Sequence, residues 1–172
     1  MKADLQSVHD KLPPTMLSGL AQSLWRRAPR FVRLWGVRLT NARFTVTAAG
    51  IILNPSGQVL LLKHRFRAGS GWGIPGGFIE ANEQPAAALR RELLEEIALQ
   101  LQSAELWHVR TLRSVGQIEV IFCCETEAEV QPVSDEIELA GWFNLESLPP
   151  GLPTDQAQMI KAVFDRGAKL ER

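Results

Sequence analysis

Apolar residues recur along this chain at two different periods, and the switches between them mark its elements. Residues 45–53 (TVTAAGIIL) and 58–63 (QVLLLK) are aliphatic and β-branched. Between them Asn54-Pro55-Ser56-Gly57 puts Pro and Gly where a tight turn uses them, so the pattern predicts two strands joined as a hairpin. A loop over 65–73 follows, and strand-like runs return at 104–112, at 117–126 and at 141–145. Helical spacing takes over twice. Residues 84–97 form the first helix, with Pro85 suited to its first turn and Asn82 or Glu83 placed to serve its open N–H groups. A second helix follows Pro149-Pro150-Gly151-Leu152-Pro153 and is opened by Thr154 or Asp155. Its apolar side is Met159, Ile160, Val163 and Phe164, and Gly167 is expected just past its end. Strands flanking helices predict an α/β layered domain.

The first helix is unusual on its polar side. At ~100° per residue, Glu92, Glu95 and Glu96 share one face while Ala86, Leu93 and Ile97 gather on the other. Three neighbouring carboxylates repel, and a hard divalent cation reverses that sign because it prefers oxygen ligands. Just upstream, Gly76 and Gly77 lack a Cβ, so a main-chain carbonyl or a phosphate can approach closely there. Taken alone, a Glu-rich helix face is usually a solvated one, with Arg90 or Arg91 as its ion-pair partner.

The spacing over residues 77–99 changes that balance. Gly77 is followed after five residues by Glu83, then after seven by Arg91-Glu92-Leu93-Leu94-Glu95-Glu96-Ile97-Ala98-Leu99, with Trp72-Gly73-Ile74-Pro75-Gly76 leading in. This stretch resembles the Nudix box, departing at one fixed position, where Ala98 stands for Gly. That glycine normally ends the helix in the left-handed conformation, so Ala98 puts the helix terminus in question while leaving every carboxylate in place. The resemblance covers residues 43–166. It implies a mixed β-sheet in an α/β/α sandwich, and divides the chain into an N-terminal helical extension (1–42) and a Nudix domain (43–172).

What the resemblance implies chemically is hydrolysis of a pyrophosphate bond in a nucleoside diphosphate linked to another moiety, using Mg²⁺ or Mn²⁺. Carried over by position, the Gly76 carbonyl with Glu92, Glu95 and Glu96 would hold metal, and Glu92 would activate the water. Arg91 would orient a box carboxylate, and Gly77 and Glu83 would shape the loop. A further acid is expected before an aromatic strand; Asp135-Glu136-Ile137-Glu138 precedes Trp142-Phe143, and Glu136 is preferred over Glu138, with both as plain surface charges the alternative. Arg65, Arg67 and Trp72 are substrate-binding expectations, with Arg110, Arg113 and Trp107 as further possibilities for phosphate contact or stacking. The chain has no Tyr and no Pro between Pro85 and Pro132, so subgroup signatures for diadenosine polyphosphates and ADP-ribose are missing. A non-catalytic nucleotide-binding module and an RNA-end pyrophosphohydrolase stay open as alternatives.

Composition adds less. The apolar and charged fractions, 45% and 22%, are those of a globular protein. Charge is uneven: residues 1–50 carry 8 of the 19 Lys/Arg and 2 of the 19 Asp/Glu. Within 1–42, Leu17, Leu20, Leu24, Phe31, Leu34, Trp35 and Leu39 mix with arginines between Pro13, Pro14 and Pro29, the pattern of one or two short amphipathic helices. They are expected to pack on the domain or on a second subunit as a homodimer, with a membrane surface or anionic partner as the alternative. The apolar run 16–25 precedes Arg26-Arg27, the reverse of a signal peptide's order, and no segment has the length to span a bilayer. Cys123 and Cys124 are neighbours in a strand-like run, so their side chains point to opposite faces and form no structural disulfide, as in a reducing cytoplasm. Of His9, His64 and His108, only His64, between Lys63 and Arg65, is placed to touch a phosphate.

Overall fold

The computed structural model describes residues 42–170, with side chains to Arg166, together with Pro29 and Phe31. The expected amphipathic helices of residues 1–42, the dimer contact through them and His9 otherwise lie outside the described residues. Contacts within the chain separate residues 1–43 from residues 44–172. The second unit runs β1 (Thr45–Leu53), β2 (Val59–His64), β3 (Trp72–Gly73), β4 (Gly76–Phe78), α1 (Pro85–Ile97), β5 (Glu105–Leu112), β6 (Gln117–Glu125), β7 (Ile137–Phe143) and α2 (Thr154–Leu170), with a 3₁₀ turn at Leu145–Ser147.

The strands form one seven-stranded mixed sheet with the path β3-β2-β1-β6-β5, β4 joining β1 and β7 joining β2. β1 and β6 run parallel from Thr45↔Gln117 to Leu53↔Glu125, and the other pairs are antiparallel. Alternation along β1 sends Ala48 and Ile52 to one face and Ala49 and Ile51 to the other. The first face packs under Ala88, Leu89, Leu93 and Ile97 of α1, the second under Met159, Ile160 and Val163 of α2. The result is the expected α/β/α sandwich. Cys124 lies in the α1-side cluster and Cys123 against the α2-side one, so the neighbouring thiols are free and on opposite faces.

Several expected boundaries change for physical reasons. The hairpin closes only at its tip, through Leu53↔Val59, with Asn54 Oδ1 accepting from Gln58 N–H at 2.9 Å. Beyond the tip the strands diverge, β1 taking β4 at its edge and β2 taking β7. The strand expected at 141–145 starts earlier, at Ile137, and stops at Phe143. The acids Asp135, Glu136 and Glu138 around its start hid it; pairing with β2 and burial of Ile137 override that polarity. α1 is entered through Gln84, which makes no side-chain cap, because Glu83 is occupied elsewhere and Asn82 sits in a turn at φ 68°. α2 runs through Gly167 rather than ending before it.

Ala98 resolves the question its sequence raised. It ends α1 in the left-handed conformation, φ 56° and ψ 21°, just as a glycine would. Its N–H bonds the Leu94 carbonyl at 3.1 Å, and the Leu99 N–H reaches back to Leu93 at 3.1 Å, so the last carbonyls are satisfied. The alanine Cβ is strained there, and Ala98→Gly is expected to raise stability by about 1 kcal/mol. Urea denaturation is the check: the midpoint rises with an unchanged slope.

Candidate active site

Two glycines shape the floor of the site. Gly76 adopts φ 149° in β4, where any Cβ would meet the Ala48 carbonyl of β1. At Gly77 a Cβ would occupy the space of the Glu92 carboxylate, so the side chain from α1 lies directly on the glycine backbone.

Arg91 ties loop and helix together. Its Nε and Nη2 donate to the two Glu83 carboxylate oxygens at 3.0 and 3.1 Å, and Nη2 also reaches the Phe78 carbonyl at 3.0 Å. Nη1 donates to Glu92 Oε1 at 3.0 Å and to Glu95 Oε2 at 3.3 Å. Glu83 closes the loop by accepting from the Glu80 N–H at 3.0 Å. The bidentate contact, with the Glu80 N–H, holds Glu83 below the usual carboxylate range; Glu83 first, then Glu92, raise Arg91 above its own.

Glu96 is the electrostatic extreme of the site. It is only 7% exposed, and its Oε2 has no hydrogen-bond partner. Burial first, then the charges of Glu92, Glu136 and Glu95, push its pKa up to about 7, with Arg67 opposing them. His64 lies beside it, Nδ1 3.8 Å from Glu96 Oε1, and its Nε2 is also buried and unpartnered. Burial and the Arg67 charge lower His64 to about 4, so it is neutral at pH 7 and the contact is not an ion pair. The Glu96 main-chain carbonyl also accepts from Val133 N–H at 2.9 Å, which hooks the loop before β7 to the end of α1.

Glu92, Glu95, Glu96, Glu136, His64 and Arg67, with Gly76 and Gly77, open onto one cleft of about 420 Å³. Glu136 therefore lies with the helix carboxylates, while Glu138 is turned to Lys63 Nζ at 2.9 Å. Among the described residues no three His, Cys, Asp or Glu side chains already converge as a metal cage, and Arg91 Nη1 bridges Glu92 and Glu95. The donor set nonetheless fits a hard divalent ion: oxygen ligands crowd the cleft and a buried oxygen of Glu96 lacks a partner.

The remaining expected residues divide. Arg67 lines the cleft, its guanidinium lying over Gly73 within the field of Glu96 and Glu119. Arg65 is exposed and contributes its N–H to the Glu136 carbonyl at 2.8 Å. Trp72 packs edge-on against Phe143, centroids 5.1 Å apart, and Trp107 packs into the same α2-side cluster, so neither ring lines the cleft. Arg110 is taken by Glu119 at 2.6 Å and Asp155 at 2.7 Å, and Arg113 is exposed. Reading the sequence missed Glu119, whose signal was a charge at an inward position of an apolar strand, and Phe78, an aromatic directly after the glycine pair.

The chain is thus a mixed sheet between two helices, with a glycine-floored acidic cleft beside the C-terminal half of α1. The chain belongs to the NUDIX domain family, whose model matches residues 43–163. It is similar to an 8-oxo-dGTP diphosphatase from Haemophilus influenzae, 42% identical over 69% of this chain and 90% of that protein. It is also similar to an NAD-capped RNA hydrolase NudC from Chromobacterium violaceum, 25% identical over 91% of this chain and 58% of that one. Among solved structures, a MutT NUDIX hydrolase from Burkholderia pseudomallei superposes with TM-score 0.62 and 26% identity over 69% of this chain and 97% of that one. The chain spans only 63% and 58% of the length of the first curated relatives it matches. No helix among the described residues is long and apolar enough to cross a membrane.

Proposed function

We propose that this protein is a divalent-metal-dependent pyrophosphohydrolase acting on a nucleoside diphosphate linked to another moiety. The observation that carries this reading is the buried, unpartnered Glu96 oxygen in a cleft shared with Glu92, Glu95 and Glu136. Glu92, Glu95, Glu96 and the Gly76 carbonyl would hold Mg²⁺ or Mn²⁺, which when bound neutralises the diphosphate and lowers the pKa of a coordinated water. Glu92 accepts the proton of the attacking water, and Glu136, across the cleft from the helix, adds the further negative group. Arg91 keeps Glu92 and Glu95 oriented through its shared Nη1, while Glu83 pins that guanidinium from the other side. Arg67 offers the phosphates a cation at the cleft wall. A cytoplasmic site of action agrees with the two free thiols.

An RNA-end substrate is the second reading, favoured by the similarity to a relative named as an NAD-capped RNA hydrolase. A non-catalytic binding role is less well supported, because every box carboxylate is retained.

The test is nucleotide or phosphate release from a panel of nucleoside diphosphate compounds, including an NAD-capped RNA, with Mg²⁺ or Mn²⁺. Turnover that requires the metal and falls at least about 100-fold in Glu95→Gln supports the hydrolase. Ligand binding without turnover across the panel makes it a binding module instead.

A further inference from the structure

The segment between β2 and β3 is tied down at both ends. His64 N–H bonds the Gly71 carbonyl at 2.9 Å, Arg65 N–H bonds the Glu136 carbonyl at 2.8 Å, and the Ser70 hydroxyl donates to the Gly151 carbonyl at 2.7 Å. Gly71 adopts φ 78°, where any Cβ would meet the His64 carbonyl, so the loop closes only with glycine there.

On this loop stands Phe66, 80% exposed and the most exposed large apolar side chain among the described residues. Its surroundings in the chain reach the acidic cleft on both sides: His64 and Arg67 line it, and so does Glu136, whose carbonyl holds Arg65. The ring is therefore carried at the rim of the cleft, next to the exposed Arg65. Core packing accounts for Trp72 and Trp107, but Phe66 belongs to neither core cluster. A phenyl ring in water between two arginines suits single-stranded nucleic acid, which offers a base to the ring and a phosphate to the cation. An acidic peptide would satisfy the arginines but not the ring; an apolar one would satisfy the ring but not the arginines.

We infer that Phe66 is a stacking platform for single-stranded RNA, receiving the first base beyond a 5′ dinucleotide whose diphosphate lies in the acidic cleft. This rests on the RNA-end reading and adds a residue to it. Arg67 serves the diphosphate at the cleft wall, and Arg65 holds the phosphate that joins the stacked base to the dinucleotide. A free dinucleotide ends before it reaches the loop, whereas a capped RNA gains one stacked base and one phosphate contact. The polymer is thus preferred over its own cap. Every base has a π-face, so the preference does not depend on which base follows.

The experiment compares a short NAD-capped RNA with free NAD in the wild type, Phe66→Ala, Phe66→Trp and Arg65→Ala. Phe66→Ala is expected to raise KM for the capped RNA roughly tenfold, with kcat little affected and KM for NAD unchanged, and Phe66→Trp to restore the wild-type value. Arg65→Ala lowers the salt dependence of KM for the capped RNA by roughly one released ion. Equal losses on both substrates, or no loss on the RNA, overturn the platform. A second measurement needs no turnover, using 5′-monophosphorylated RNA with 2-aminopurine at its second position, whose fluorescence is quenched by stacking. Quenching by the wild type that disappears in Phe66→Ala supports the platform; no quenching, or quenching that persists, overturns it. A wild type that quenches this RNA but releases nothing from the capped RNA would sink the RNA-end hydrolase reading and leave the platform standing as an RNA-binding surface.

Discussion

Glu92→Gln is expected to lower kcat by about 10²- to 10⁴-fold at saturating Mg²⁺ while the protein unfolds at an almost unchanged temperature. In the proposed role the side chain would act by charge and position. Its carboxylate lies against the bare backbone of Gly77 and takes a 3.0 Å bond from Arg91, so glutamine fills the same space and keeps one acceptor. It loses the negative charge a hard cation seeks and the basicity that a proton acceptor needs. The kinetic split is informative as well. If Glu92 mainly holds metal, raising Mg²⁺ recovers part of the rate; if it mainly accepts the water's proton, the loss stays in kcat at any metal concentration. A decrease smaller than about tenfold would move the base to another residue, with Glu136 next in line.

Glu96→Gln is expected to act in two opposite directions, abolishing metal-supported turnover and stabilising the metal-free protein at alkaline pH. Glu96 titrates near 4.5 in an open chain and near 7 in the folded protein, because burial and the neighbouring carboxylates disfavour its charge. Between those values the native state keeps a proton that the unfolded state has lost. Stability therefore falls as pH rises from about 4.5 through 7; the penalty is absent below that window and complete above it. Gln removes the penalty, so at pH 8 in EDTA the variant should exceed the wild type by on the order of 1–3 kcal/mol, and the two should converge near pH 4. Adding Mg²⁺ should stabilise the wild type and leave the variant behind. Urea titrations at pH 4 and 8, with and without the ion, decide it; equal stability in EDTA at pH 8 would mean that Glu96 carries no such burden.

The same residues show how far sequence alone could see. The spacing of Gly77, Glu83, Arg91, Glu92, Glu95 and Glu96 was legible because α1 translates sequence distance directly into a shared face. The strands of alternating or continuous apolar character were legible for a similar reason. β7 was not, because its register comes from β2 and acidic residues surround its first position, Ile137. Nor was the fate of Trp72, Trp107 and Arg110, whose partners Phe143, the α2-side cluster, Glu119 and Asp155 lie far away in the chain. Glu136 and Glu138 are two residues apart and chemically identical; only the irregular pairing near Lys63 and His64 and the Lys63 contact send one to the cleft and the other away. Burial of Glu96 was equally hidden, since the box pattern gives three equivalent glutamates and only tertiary packing singles one out.

Glu96 also serves as an anchor through its backbone, for its carbonyl holds Val133 while its side chain faces the cleft. Helix phase and loop position are thereby geared to one residue. A one-residue insertion in α1 upstream of it would turn Glu96 by about 100° about the helix axis and shift the Val133 hook along with it. Insertions among the exposed residues 127–129 would instead be absorbed as slack before the hook. Length variation in a lineage carrying this site should thus collect in that segment and be purged from α1, a pattern set by mechanical linkage as much as by the identity of the glutamates.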